Sequence, residues 1–397
     1  MKDEKEIVTK SISDRELKRR WKEVRKRMKE EKIDFLVMQN DNEWLGGYVK
    51  WFTDVPAKNA QPHTVIFPVD EEMTTLTHGG KPPGDMGPPA WTLRGVKRRL
   101  TAPFFRTAAF TNTYEAELAV EVLKGRKRPK IGLLGMGTLS AAFYAYLVDH
   151  LSGARFVEAA EIVDPIKAVK SDEEIELIRK TAALQDRAVE YARKAIRPGR
   201  RDFEIIADII HHVTDLGSEE QLVLGGSGPL GQAVPIRKRH FQNRRVRKGD
   251  QFSLLIEVNG PGGMYTEIGR NFFVGSKVPS ELSDAAALAV EIQKATLNMI
   301  RPGADPAQIW HANNERLVRE GFLPETRLYA HGQGYDLVER PLIRDDEPMK
   351  LQAGMNITVH PTVGSDRVWV WVCDNYLITK TGVSKCLHRT PKEIIAV

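Results

Sequence analysis

The stretch DQFSLLIEVNGPGGMYTEIGRNFFVG, residues 250–275, decides the fold of this chain. Bulky residues flank Asn259-Gly260-Pro261-Gly262-Gly263, whose composition is that of a turn, so the segment folds back on itself as a hairpin. With the turn centred near Gly262, Glu257 and Glu267 stand directly opposite each other, their Cβ atoms about 5 Å apart. Two carboxylates that close repel by roughly 3 kcal/mol at an effective dielectric near 20. A shared proton, a cation such as Arg270, or a metal ion must offset that repulsion. A different register would turn one of the two into solvent.

Downstream lie two more segments with chemistry in them. In YAHGQGYDLVERP, residues 329–341, His331 precedes Gly332 and Gly334, and glycines there admit a backbone or a ligand close to the ring. The segment LQAGMNITVHPTVGSDRVWVWVCDNYLIT, residues 351–379, reads as a second hairpin turning around Gly364-Ser365-Asp366. It places His360 at the end of its first strand and Cys373 within its second. Cys373 is either core filler or part of a chemical site.

Upstream, KSDEEIELIRKTAALQDRAVEYARKAIRPG opens with a capping box, Ser171 with Glu174, and runs at helical spacing until Arg197-Pro198-Gly199 stops it. A second helix stops the same way at Arg301-Pro302-Gly303, and an amphipathic helix follows each stop. The repetition implies a duplicated α+β unit with a site between its halves. Before residue 165, a charged helix at 15–32 precedes short apolar strands in IDFLVMQN, HTVIFPV, MTTLTHG and KIGLLGMG, the pattern of a smaller α/β unit. We therefore expect two domains, 1–165 and 166–397.

Bulk composition narrows the function. Charged residues at 28% and apolar ones at 41% describe a globular protein. No apolar run reaches the roughly 18 residues of a spanning helix. There is no apolar signal segment, and Cys373 and Cys386 make no disulfide framework, so a cytoplasmic location is expected. The net charge of +6 is spread over many mixed-sign helices, with one concentrated run, IRKRHFQNRRVRKGD, residues 236–250. That run is a solvated loop face, or part of it receives an anionic substrate; without interleaved aromatics or a motif it gives no case for nucleic acid.

Taken in order, the four segments LLIEVNGPGGMYTEIGR, HGQGYDLVERP, GMNITVHP and CDNYLITKTG resemble the C-terminal domain of the pita-bread superfamily, which includes methionine aminopeptidase, aminopeptidase P, prolidase and creatinase. The resemblance covers about residues 165–395, and the N-terminal unit agrees with the creatinase and prolidase branch. It implies an α+β fold, a homodimer and a small-molecule substrate. It also implies a ligand set from which this chain departs. Glu267 lies where the second Asp is expected, and Glu257 two residues beyond the first, whose place Leu255 fills; dimethylsulfoniopropionate lyases of the superfamily share a similar shift. His331 matches the family histidine, His360 and Cys373 replace two glutamates, and Val338 replaces a second histidine.

Because Glu257, Glu267, His331, His360 and Cys373 can all still bind a metal, the expectation is one divalent ion, Zn or Fe, on Glu267, His331, His360 and Cys373. Glu257, His331, Glu339 and His240 are the candidate acid–base groups, and Arg270, Tyr265, Tyr335 and His63 the candidate substrate contacts. The function expected is hydrolysis or lyase chemistry on a small polar or anionic molecule, with ordinary Xaa-Pro peptidase activity disfavoured. Two alternatives stand beside it: a metal-independent, creatinase-like C–N hydrolase, and a non-catalytic binding scaffold.

Overall fold

The computed structural model describes residues 9–79, 88–241 and 243–397, the side chain of Arg239 excepted. Backbone contacts group residues 11–167 into one compact unit and residues 168–397, with Thr9 and Lys10, into another. No helix among the described residues is long and apolar enough to cross a membrane.

The N-terminal unit begins with α1 (Asp14–Glu30), capped by Ser13, whose hydroxyl accepts from the Glu16 amide. Leu17, Trp21, Val24 and Met28 recur every three or four residues and form its buried stripe. The helix packs against a unit built on six strands: β1 (Phe35–Asn40), β2 (His63–Pro68), β3 (Met73–His78), β4 (Val96–Ala102), β5 (Lys130–Leu134) and β6 (Arg155–Glu158). Their order is β4-β3-β2-β1-β5-β6, antiparallel from β1 to β3 and parallel elsewhere. Four helices complete the unit's secondary structure or lead out of it: α2 (Gly47–Thr53), α3 (Tyr114–Leu123), α4 (Ala141–His150) and α5 (Ala160–Ala168). The strands β4 and β6, rich in charged residues, do not show in the apolar pattern.

The C-terminal unit carries the duplication. Helices α6 (Asp172–Ala195) and α7 (Asp202–Asp215) precede β7 (Gln221–Gly228), β8 (Gln251–Asn259) and β9 (Tyr265–Phe273). Helices α8 (Ser280–Met299) and α9 (Pro306–Arg319) precede β10 (Ala330–Gly332), β11 (Glu339–Leu342), β12 (Asn356–Val359), β13 (Thr362–Gly364), β14 (Trp369–Trp371) and β15 (Asp374–Leu377), and β16 (Ile395–Ala396) closes the set. Ser171 and Glu174 form the expected reciprocal cap of α6. Both helix stops work alike: Gly199 and Gly303 take positive φ, and their amides donate to Val246 and Leu351 carbonyls at 2.9 and 2.8 Å.

Strands β13 and β14 pair by themselves; of the two larger sheets, one runs β16-β9-β8-β7 and the other β11-β10-β12-β15. A two-way backbone bridge between Gly269 and Cys373 connects them. Every residue of β8 and β9 is buried, because α6 and α7 cover one face with Ile205, Ile206 and Ile209 against Phe252, Leu254, Ile256 and Ile268. The opposite face of the hairpin meets the second sheet, so the carboxylates placed there, Glu257 and Glu267, are only 6% and 4% exposed and need partners in the fold.

Candidate active site

The hairpin register pairs Glu257 with Glu267, as the turn sequence demands. Burial raises the pKa of Glu257 well above the ordinary carboxylate range, and the charge of Glu267 adds to the effect. Glu257 Oε1 accepts from the Gln333 amide at 2.8 Å. Burial also raises the pKa of Glu267, against opposing hydrogen bonds from Cys373 and Thr358.

Glu267, His331 and His360 converge, with one ligand atom of each lying within 4.8 Å of the others. His331 Nε2 is 3.7 Å from Glu267 Oε2, while its Nδ1 is 3.0 Å from the Gly332 carbonyl. That carbonyl can only accept, so Nδ1 carries the proton and Nε2 keeps its lone pair for the cluster. His360 is buried on strand-end backbone, its amide donating to Tyr329 O, and neither ring nitrogen has a partner. Burial pushes both imidazoles down in pKa, His331 to about 4, and the neighbouring His331 adds to the effect on His360. Both rings are thus neutral near pH 7, the form in which imidazole binds a metal.

An amide network fixes the Glu257 carboxylate and the backbone that carries Glu267. Gln333 Oε1 accepts from Asn375 Nδ2 at 2.8 Å, Asn375 Oδ1 accepts from the Glu267 amide at 2.7 Å, and Asn356 Nδ2 donates to Gln333 O at 3.2 Å. Gln333, Asn356, Asn375 and Thr358 were not legible as site residues. For Asn356 and Thr358 the signal available was their alternation with Ile357 and Val359 on β12.

Several expected roles change. Arg270 does not neutralise Glu267 or reach substrate: it is buried on the neighbouring side of the strand and donates to Asp374 Oδ1 at 2.7 Å and to four backbone carbonyls. Successive strand residues face opposite ways, so residue 270 cannot share the face of residue 267. Cys373 is outside the three-ligand cluster; its thiol lies 3.3 Å from Thr358 Oγ1 and 3.5 Å from Glu267 O, packed with Leu255 and Trp371. There it packs and hydrogen-bonds the Glu267 carboxyl. Glu339 is held in a buried ion pair with Lys170, and the close approach allowed by Gly334 serves that pair: a Cβ there would stand 2.5 Å from Glu339 Oε1. His240 is exposed on a 3-10 turn, its ring 4.1 Å from that of Phe241, not in the buried cluster. Tyr265 and Tyr335 are buried, and the Tyr265 amide donates to Gly334 O at 2.7 Å. His63 belongs to β2 of the N-terminal unit. Val338 is half-exposed.

Gly269 has a steric reason to lack a side chain. A Cβ there would lie 2.6 Å from two ring carbons of Trp371 and 2.9 Å from Cys373 Cβ, so the indole rests directly on β9.

The model of metallopeptidase family M24 matches residues 176–380, more than half of the chain. The chain belongs to metallopeptidase family M24. Among curated relatives of this M24 chain, the probable dipeptidase PepE of Mycobacterium tuberculosis (strain H37Rv) is 27% identical over 258 residues, 63% of this chain and 66% of the relative. The Xaa-Pro dipeptidase of Pyrococcus furiosus is 25% identical over 268 residues, 65% of this chain and 74% of its own. Among solved structures, dipeptidase PepE from Mycobacterium ulcerans superposes with a TM-score of 0.77 at 19% identity, covering 98% of this chain and 100% of that one. The Xaa-Pro dipeptidase from Bacillus anthracis gives 0.74 at 18%, covering 96% and 100%. These similarities place the whole chain in the pita-bread fold.

A metallopeptidase family implies a metal, and the three converging side chains fit one. His360 supplies the decisive observation: a buried imidazole with two unpartnered nitrogens costs about 1–3 kcal/mol per unsatisfied group, and a cation takes up a nitrogen lone pair.

Proposed function

We propose that this M24 chain is a hydrolase of an amide-type C–N bond in a small polar or anionic molecule, with a single divalent cation, Zn or Fe, on Glu267, His331 and His360. The observation that carries the reading is the convergence of His360, unpartnered at both nitrogens, with His331 and Glu267. When bound, such an ion polarises a carbonyl oxygen and acidifies water. The chain's own residues supply the rest. Glu257 keeps Oε1 on Gln333 and offers Oε2 for a proton, while its burial opposite Glu267 favours the protonated form. Gln333 holds the Glu257 carboxyl, Asn375 accepts from the Glu267 backbone amide while Asn356 braces both amide side chains, and the Gly332 carbonyl orients His331.

The ligand positions support one ion rather than two. Leu255 and Cys373 sit where the family resemblance calls for carboxylates, and with Val338 at the second histidine position we expect low activity on Xaa-Pro dipeptides. The chain is further proposed to act in the cytoplasm as a homodimer.

The test is elemental analysis of protein purified without chelators or a nickel column, beside His360→Ala. One Zn or Fe per chain, lost in the variant, is the expected result; two ions per chain would refute the mononuclear reading. A second reading rests on the opposed Glu257 and Glu267 themselves, which can share a proton and, with His331, perform metal-independent acid–base cleavage. Absence of metal from both proteins, with amidohydrolase activity that resists chelation, would select it.

A further inference from the structure

We propose that the N-terminal unit carries a binding site for a small carboxylate with a flat apolar body, built around His63, Lys58 and Arg99. A cavity of about 330 Å³ opens over the sheet, with His63 from β2, Thr75 and Thr77 from β3 and Arg99 from β4 along it. That volume is at the lower end of small-molecule sites. Its walls are apolar and stiff, formed by Trp91, Leu93 and prolines on both sides.

Charge decides the ligand. Lys58 and Arg99 line the cavity, and among the described residues neither forms an ion pair and no carboxylate joins the lining. The carboxylate that approaches this region, Glu115, is already committed, its Oε2 3.0 Å from His78 Nε2 and 3.0 Å from Gln39 Nε2. Among the described residues the cavity therefore holds two cations without an acidic partner. Inside it, His63 Nε2 is buried without a partner. Burial pushes that imidazole down to about 4, with the charge of Arg99 adding, so it is neutral near pH 7 and offers one hydrogen bond without a third charge. A planar guanidinium fork beside one ammonium matches a carboxylate, and the Trp91 and proline walls match a flat ring.

This proposal is independent of the hydrolase reading. Benzoate is the probe, titrated calorimetrically into the full chain with saturation-transfer NMR to map its contacts. One saturable site per chain is expected, with neutral, isosteric benzamide and a Lys58→Ala/Arg99→Ala variant each weakening binding about tenfold or more, as loss of charged hydrogen bonds does. Both substituted side chains are exposed, so the variant should keep the parent circular dichroism and Tm. His360→Ala should leave benzoate binding unchanged. No saturable binding, equal affinity for benzamide, or insensitivity to the double variant would overturn the proposal. Tighter binding of inorganic phosphate would overturn the ligand class, and loss in His360→Ala alone would place the anion on the Glu267 cluster instead.

Discussion

Arg270→Met tests how the site-bearing hairpin is held. A guanidinium has five N–H groups, and all five are used: Nε donates to Pro391 O at 2.7 Å, Nη1 to Gly269 O and Cys373 O at 2.7 and 2.9 Å, and Nη2 to Asp374 Oδ1 and Thr390 O at 2.7 and 3.0 Å. Both charges of the pair are buried, 1% and 0% exposed at the side chain. Burial would raise the pKa of the Asp374 carboxyl, but Arg270, His388 at 3.2 Å and the charge of Lys392 together hold it well below the usual range, Arg270 contributing most. Removing the cation leaves a buried carboxylate short of its main partner, at a cost of about 3–5 kcal/mol. Arg270→Lys keeps the charge but has three donors for five acceptors. The two abandoned carbonyls, each at about 1–3 kcal/mol when unsatisfied, place its cost at about 2–4 kcal/mol after partial rearrangement. With a urea slope of about 3 kcal/mol per M, the Met variant should lower the midpoint of the C-terminal unit by roughly 1–1.7 M. Urea titration followed by hydrogen exchange in peptides from β9 and β15 separates this unit from the other. Replacing both partners, Arg270→Met with Asp374→Leu, should recover much of the loss. A Met variant within about 1 kcal/mol of wild type, or a double variant no better than the single, would refute the reasoning.

Three further outcomes are expected. Gly269→Ala forces a methyl into the Trp371 indole and should cost about 1–3 kcal/mol by overpacking, with part recovered by Trp371→Leu; unchanged stability in urea would show that the ring moves aside freely. Lys170→Met removes the ammonium from buried Glu339 and should destabilise the C-terminal unit by about 3–5 kcal/mol, measured by thermal unfolding. In the N-terminal unit, burial opposes protonation of His78, but its hydrogen bond to Glu115 and the charge of Glu115 outweigh that and raise its pKa. Its contribution is full below the ordinary histidine value of about 6.5 and fades as pH rises through the raised value. The Tm advantage of wild type over His78→Gln should therefore shrink between about pH 6 and pH 8, and a constant difference would remove the linkage.

The parts of this architecture that sequence conveyed were those with local causes. Asn259 to Gly263 specify a turn, the turn specifies the register, and the register brings Glu257 to Glu267. Ser171 with Glu174, and the two Arg-Pro-Gly stops, likewise act over a few residues. The failures were of sidedness and distance. Arg270 was assigned to Glu267 because they are near in sequence, whereas strand alternation sends it to Asp374, 104 residues away. Gln333 and Asn375 looked like ordinary strand and loop polar residues, since an amide network has no spacing of its own. Cys373 shares a neighbourhood with Glu267, His331 and His360 without sharing their convergence point, a difference of side-chain direction that composition does not record.

The five bonds of Arg270 also put the site on a clock. Only Gly269 O belongs to its own hairpin; Cys373 and Asp374 follow it by 103 and 104 residues, and Thr390 and Pro391 by 120 and 121. At about 5–20 residues per second, that separation is roughly 6–24 s of synthesis. For that interval the nascent hairpin carries a cation and two opposed carboxylates with no counterparts yet made, and the strands of the second half must arrive before any of them can be buried. Slowing translation between codons 275 and 374 should lengthen this exposed state and raise the fraction of chains captured by chaperones, without altering the finished protein.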